Sequence, residues 1–390
     1  METRENGLQN GAQYRKLMEI ALPLRTSESE RDENPAIARA REIVLAYGWN
    51  STSFQIVNPG IQRWFSSGGD AVVGYVTSAG IRVVAGAPVC PKARLAEVTR
   101  EFEADAAVDK QRVCYFCAES RMEEIFADSP DHTRFLLGAQ PVWRPSDWPK
   151  IVASNRSLRA QLNRARNKGV IVREWQREKA RSNPELAACL KQWLDSKGLP
   201  PLHFMVESDT LARLDDRRVF VAERDSHVLG FIVLSPVRRR NGWLFEQFPH
   251  RPGAPNGTVE LMIDAAMQEL ARAGCEYATL GLSPLSKRAD VGPFHDPVWL
   301  RILLGWLRKH GQRFYNFDGL DSFKAKLKPN RWEPVFAVSN ESQVSFRTLY
   351  AIAGAFSGNA TAKLVAGGMV RAAASEIRWI KRRLIRPEHR

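Results

Sequence analysis

GWLFEQFPHRPGAPNGTVELMIDAAMQELARAGCEYATLGLSPLS, from Gly242 to Ser286, decides how the rest of the chain is read. An apolar, aromatic run (Trp243 to Phe248) predicts a strand, and a turn rich in Gly and Pro (Pro249 to Gly257) follows it. Thr258 then sits just before a helical pattern carrying Leu261, Met262, Ala265, Ala266 and Leu270, which stops at Gly274. Tyr277 to Leu282 predicts a second strand, ending in the polar loop Ser283-Pro284-Leu285-Ser286. Strand, turn, helix head and strand end make a crevice. The unpaired N–H groups of a helix head favour negative charge, so the crevice suits an anionic ligand.

Working outward, the same plan extends on both sides. Val219 to Glu223 and Val228 to Leu234 pair around Arg224 to His227, helix Val298 to His310 follows the organising stretch, and Trp332 to Val338 reads as a closing strand. Upstream come a helix (Pro35 to Tyr47) and two short strands (Phe54 to Val57, Arg63 to Ser66). Asp70 to Thr77 and Ile81 to Ala87 form a hairpin around Ser78-Ala79-Gly80. Helix Ala93 to Val108, strand Arg112 to Ala118, helix Arg121 to Ala127 and strand Thr133 to Val142 complete this part. Alternating helix and strand after a hairpin gives an α/β (α+β) class, with one plan used twice. The expected division is a flexible arm (1–34), a first unit (35–153), a basic helical connection (154–217), a second unit with the crevice (218–340) and a cationic amphipathic tail (341–390).

Composition sets the partners. The 390 residues are 44% hydrophobic, enough for sizeable cores, and carry a net charge of +14. That balance points to a polyanion, either nucleic acid or an anionic membrane face, with a soluble basic protein as the open alternative. Five cysteines, an odd number, fit a reducing compartment. Cys114 and Cys117 have no second pair to complete a zinc site and lie in a strand-like run, so they read as core thiols. The first residues lack the apolar block of a secretory signal, and no run of 18 apolar residues is present. The expected location is cytoplasmic, with a peripheral place on the inner face of the cell membrane.

Two basic stretches offer places for a polyanion, and the second of them carries the membrane expectation. In SNRSLRAQLNRARNKG (Ser154 to Gly169) the cations Arg156, Arg159, Arg164, Arg166 and Lys168 occur without an acid, while Leu158, Leu162 and Ala165 share one helical face. Such a helix packs by its leucines and offers guanidinium groups to phosphates; a merely solvated basic face is the other reading. In EIRWIKRRLIRPEHR at the end of the chain, Trp379 and aliphatic residues alternate with Arg and Lys. That pattern suits an anionic membrane surface, a cap on the second unit or a partner helix.

Several segments together resemble the C-terminal domain of the phosphatidylglycerol lysyltransferase (aminoacyl-phosphatidylglycerol synthase) family. They are IRVVAGAPV, LRAQLNRARNKGV, NGTVELMIDAAM, YATLGLSPLS and FYNFDGLDSFKAKLKPNRWEPVFAV, in family order between Ile81 and Val338. The most specific is Asn316-Phe317-x-Gly319-Leu320-x-x-Phe323-Lys324-x-Lys326, leading to Trp332-Glu333-Pro334. The resemblance implies tandem GNAT-like acyltransferase domains and transfer of an aminoacyl group from charged tRNA to an acceptor, in the family a lipid hydroxyl. Two departures stand out: the large N-terminal membrane region of family members has no counterpart here, and Ile263 stands where they have Arg after Glu260-Leu261-Met262.

An aminoacyl ester is already activated, so the chemistry requires no cofactor and no metal, only placement, proton removal and oxyanion stabilisation. Glu260 is the candidate base or acceptor-orienting group, set against a plain dipole-complementing acid. Lys324 and Lys326 sit two apart on a predicted helix and therefore diverge. Lys324 is the one at the family position, suited to a phosphate or a developing negative charge. Arg251, Asn256, Gly257 and Thr258 are candidates for cradling a phosphate or the terminal adenosine, or else form a capped turn. Ser283 and Ser286 are candidates for the aminoacyl amine or the lipid or small-molecule acceptor. Glu333 either selects a cationic aminoacyl side chain or pairs with Arg331. His250 reads as structural. The rival enzyme class is an acyl-CoA-dependent acyltransferase, whose pyrophosphate loop Arg251 to Gly257 does not match in spacing. A non-catalytic tRNA- or membrane-binding protein is the rival from another class.

Overall fold

Two parallel strand pairs, each closed by a crossover helix, organise the computed structural model, which describes residues 34–126, 129–196, 204–205, 210–292, 294, 296–310 and 316–356. The first half contains α1 (Pro35–Tyr47), β1 (Gln62–Phe65), β2 (Val72–Ser78), β3 (Ile81–Ala85), α2 (Leu95–Val108), β4 (Arg112–Ala118), α3 (Ser120–Phe126) and β5 (Thr133–Trp143). The connection adds α4 (Trp148–Ser154), α5 (Arg156–Asn167), β6 (Ile171–Trp175), α6 (Arg177–Arg181) and α7 (Pro184–Asp195). The second half contains β7 (Arg218–Arg224), β8 (His227–Val237), β9 (Gly242–Phe245), α8 (Thr258–Arg272), β10 (Tyr277–Thr279), β11 (Ser283–Pro284), α9 (Val298–His310), α10 (Phe317–Lys326) and β12 (Arg331–Ser339). A last helix, α11, covers 346–356.

The α/β class and the tandem plan hold. β2 and β3 form the expected hairpin, with Ser78 opposite Ile81, and β3 pairs parallel to β4 across α2. β7 and β8 form the second hairpin, and β9 pairs parallel to β10 across α8. All of these strands belong to one sheet in the order β1-β2-β3-β4-β12-β5-β10-β9-β8-β7-β6, with β11 paired to β5.

The strand read as closing the second unit lies elsewhere. β12 runs antiparallel to both β4 and β5, and β5 in turn pairs antiparallel with β10. The seam between the halves is therefore made of strands from both. Val335, Phe336, Ala337 and Val338 are all buried. Such a run marks an interior strand without saying which strands flank it. Three other elements differ from expectation: Phe54 to Val57 belongs to a buried 3-10 turn (Ser53–Val57), β9 ends at Phe245 rather than Phe248, and β10 ends at Thr279 rather than Leu282. The arm 1–33 and the basic stretch 377–390 lie outside the described residues.

Amphipathic faces decide the layers. Leu158, Leu162 and Ala165 of α5 are buried as their spacing requires, in one apolar cluster with Leu261, Met262, Ile263, Met267 and Leu270 of α8. Asn155 caps α5 by accepting the N–H of Leu158. On the first half, Leu95, Val98, Phe102 and Ala106 of α2 cover β3 and β4 with Val84, Val113 and Tyr115. All five cysteines are buried and free. Burial pushes the Cys90 thiol up to about 12 and those of Cys114 and Cys117 higher still, as befits core thiols.

Candidate active site

β9 and β10 run together only as far as Leu244 and Thr279. Beyond that point the chain from β9 stays with β8: the N–H of Glu246 donates to the Val233 carbonyl, and that of Phe231 to the Pro249 carbonyl at 2.9 Å. The chain from β10 turns to β5 instead, where Ser283 faces Ala139 and the Leu285 N–H donates to Leu137 at 2.7 Å. Gly281 and Leu282 lie between these two allegiances, and among the described residues no strand pairs with their carbonyls. Lys324 of α10 takes both, its Nζ standing 2.8 Å from the Gly281 oxygen and 2.9 Å from the Leu282 oxygen.

Lys324 is 2% exposed. Burial pushes its ammonium down to about 7, against the opposing pull of Asp321. Asp321 is itself engaged, accepting the Ser286 hydroxyl at 2.6 Å and the Arg288 guanidinium at 2.8 Å. The buried hydroxyl of Ser283 has no hydrogen-bond partner among the described residues. Leu285 sits at φ +59°, and its carbonyl accepts from Arg308 of α9, which also grips Asp318. Asn316 caps α10 through the Gly319 N–H. The family-like Asn316 to Lys326 segment thus resolves into a cap, an acid and a buried amine. Lys326 is exposed, diverging from Lys324 as two-residue spacing on a helix requires.

The head of α8 is arranged differently from expectation. Gly257, at φ +92°, occupies the N-cap position, and a Cβ there would stand 2.1 Å from the Gln161 carbonyl oxygen of α5. α5 therefore presses on the helix head. Thr258 is the first helical residue, and its hydroxyl donates back to Pro255 at 2.6 Å. Arg251 is held by the Val228 carbonyl at 2.6 Å and by Gln192 and Glu185 of α7. Asn256 is exposed, and His250 is tied to the Phe248 carbonyl. Glu260, half-buried in the first turn, has no hydrogen bond or ion pair among the described residues. Ile263 is fully buried in the apolar cluster beneath α8.

The cations of α5 divide into two groups. Arg166 donates at 2.7 Å to Asp264, a buried acid that also accepts from Trp148 and Gln268. Arg159 caps the end of α4 through the carbonyls of Val152 and Ala153. Arg156 and Lys168 are exposed and make no such contact among the described residues, and Arg164 touches only Gln161. Asp264 had no signal in the sequence beyond being an acid on a largely apolar face.

Glu333 belongs to a third set at the seam. Arg240 bridges Glu119 at 2.9 Å and Glu333 at 2.5 Å, with its guanidinium 3.8 Å above the Tyr277 ring. Gln140 joins Glu333, Tyr277 and Ser51. Burial pushes the Glu119 carboxyl up. It acts the same way on Glu333, but Arg240 and Arg331 together hold that carboxyl below its ordinary value. The expected pair with Arg331 is present, and Arg240 outdoes it. Sequence reasoning missed Arg240 because the third member of Arg238-Arg239-Arg240 looks like part of a solvated run.

Residues 41–339 match the family described as phosphatidylglycerol lysyltransferase, C-terminal. The lysylphosphatidylglycerol biosynthesis bifunctional protein of Mycolicibacterium gilvum is 24% identical over 217 residues, covering 53% of this chain and 19% of that protein. The chain thus spans about a fifth of that relative's length. Among solved structures, the C-terminal domain assigned to a lysylphosphatidylglycerol synthetase of Agrobacterium fabrum superposes with a TM-score of 0.71 at 22% identity, over 83% of this chain and 97% of that one. The L-PGS structure from Bacillus licheniformis follows at 0.67 and 20%, over 81% and 94%.

Proposed function

The chain belongs to the phosphatidylglycerol lysyltransferase C-terminal family, and on that premise we propose that it moves an aminoacyl group from a charged tRNA to a hydroxyl or amine acceptor, most directly a membrane lipid such as phosphatidylglycerol. The chemistry is assigned to the second unit (218–340) and donor binding to the connection (154–217). One observation carries the reading: a buried lysine, tuned to about 7, stands across the carbonyls left bare where two parallel strands part.

That geometry suits acyl transfer in both protonation states. A neutral amine has two N–H bonds, which the Gly281 and Leu282 carbonyls occupy, and a lone pair that remains free. As the acceptor oxygen attacks the ester carbonyl carbon, its proton passes to that lone pair. The resulting ammonium has a third N–H to offer the oxyanion. When the ester C–O bond breaks, the same proton leaves with the ribose oxygen, and Lys324 is neutral again. Glu260, unengaged in the first turn of α8, orients the acceptor. The unpartnered Ser283 hydroxyl is suited to the aminoacyl amine, while Ser286 works through Asp321. Glu333, already paired twice, is a positioning residue for Arg240 and Gln140. No cofactor or metal is required for these steps.

The donor is proposed to lie along Arg156, Arg164 and Lys168, with Arg159 and Arg166 fixing the helix that presents them. The acyl-CoA alternative is disfavoured by the α8 head, where the Gln161 carbonyl stands hard against Gly257 and Arg251 is committed to α7. The test offers the purified chain lysyl-tRNA and acetyl-CoA separately, with phosphatidylglycerol as acceptor, and identifies the product by mass. Transfer is expected from the tRNA only. Glu260→Gln is expected to reduce kcat/KM by about 100-fold with the fold intact. Acetyl transfer without aminoacyl transfer sinks the proposal.

A further inference from the structure

Most large apolar side chains in the described residues are buried, and five of the seven that are exposed lie on two helices, the others being Val108 and Ile171. Of the seven exposed ones, Val298, Trp299 and Ile302 lie on α9 and Phe346 and Tyr350 on α11. Ile302 is 68% exposed and Phe346 71%. The rings of Trp299 and Phe346 meet at 4.9 Å, so the two helices present a joined patch. Isolated exposed apolar residues need no explanation, but a joined patch with aromatic members marks a surface that meets something.

Charge identifies the partner. Neither VWLRILLGWLRKH (298–310) nor FRTLYAIAGAF (346–356) contains a carboxylate. Arg301, exposed beside the patch, acts on the half-buried Asp296 carboxyl, and Arg347, also exposed, donates to the Ala79 carbonyl at 2.7 Å, so Arg301 is the rim cation nearer to solvent anions. Trp and Tyr rings with Arg at the rim and aliphatic groups between them match the boundary of an anionic bilayer, where the ring sits at headgroup depth and the cation meets phosphate. The chain's net charge of +14 acts in the same direction. α9 is also wired to the candidate site, since Arg308 holds both the Leu285 carbonyl and Asp318 of the helix that carries Lys324.

We propose that the α9–α11 patch is a membrane-docking face that inserts Trp299, Ile302 and Phe346 into an anionic leaflet and brings the Lys324 crevice to the headgroups. This rests on the lipid-acceptor reading above for its purpose, but the docking is measured independently of catalysis. The full chain is floated with vesicles of phosphatidylcholine alone and of phosphatidylcholine with phosphatidylglycerol, and its oligomeric state is measured by sedimentation velocity. Binding is expected to the anionic vesicles and to weaken with salt. Trp299→Asp and, as a milder change, Ile302→Ser are each expected to lower partitioning about ten-fold, the loss of one buried side chain.

Both variants are expected to melt like the parent and to keep transfer to a short-chain, micellar phosphatidylglycerol. Absence of transfer in every form, with vesicle binding still lost in the variants, overturns the lipid-acceptor reading and leaves the docking face standing. Unchanged flotation of both variants overturns the docking face. So does a dimer that dissociates in them, which would assign the patch to a second copy.

Discussion

The molecule contains two points at which a parallel strand pair opens, and they are finished differently. In the first half β3 and β4 stay in register to Ala85 and Phe116. The N–H of Gly86 then donates to the Phe116 carbonyl at 2.7 Å, and the Asn50 amide to the Cys117 carbonyl at 2.8 Å. Those groups are neutral, and the opening is stitched shut. In the second half the carbonyls of Gly281 and Leu282, left without a strand partner, are met by an amine that changes charge near neutrality. One topological feature yields a sealed seam in one place and a candidate proton-transfer centre in the other, depending on which side chain reaches the bare carbonyls.

The sharpest way to break this comparison is to make the second opening as inert as the first. Lys324→Met is expected to lower aminoacyl transfer by about 100- to 1,000-fold, the usual loss for one oxyanion donor. It is also expected to remove the rise in rate through pH 7 that deprotonation of Lys324 imposes on the parent. Stability supplies a second readout. The folded pKa lies below the unfolded value, so between about 7 and 10.5 the unfolded chain binds more protons and the parent gains stability as pH rises. Lys324→Met has no such group, so its stability relative to the parent should fall between pH 6 and pH 10 in urea titrations. Equal pH dependence in the two proteins, with activity retained, would make Lys324 a structural strap like Asn50.

The converse change tests the sealed seam. Asn50→Ala leaves the buried Cys117 carbonyl without its donor, which costs about 1–3 kcal/mol. Denaturant melts should show that loss while kcat for transfer stays within a factor of about two, because the chemistry is assigned to the other opening. A fall in kcat matching that of Lys324→Met would show that the first half takes part in the reaction and would erase the distinction.

What the sequence made legible follows from which signals are local. The hairpin around Ser78-Ala79-Gly80, the helix Val298–His310 and the buried stripe Leu158, Leu162 and Ala165 are set by neighbours a few residues apart, and all three are found as read. The place of β12 between β4 and β5 is set by pairing across some two hundred residues, which no periodicity encodes. The site shows the same limit. Divergence of Lys324 and Lys326 follows from helix geometry alone, whereas which of them is buried depends on where the chain leaves β10. Arg240 and Asp264 acquire their roles only from partners on distant elements.

The smallest expected effect separates the two kinds of cation carried by α5, which presses on the head of α8, and by its C-cap Lys168. Arg156 and Lys168 are exposed, so changing both to Gln should leave the melting behaviour unaltered. If they meet phosphate, the double variant binds tRNA more weakly, and the slope of log affinity against log salt falls by about 0.7–0.9 per contact removed. Arg166→Gln is expected to do the reverse. Removing the partner of the buried Asp264 destabilises the fold, softened because Trp148 and Gln268 still donate to that acid and because Arg166 is 48% exposed. Its salt slope should stay close to the parent's. Identical slopes for all three proteins would move tRNA off α5 and leave the helix with one task, covering the head of α8 through the contact between Gln161 and Gly257.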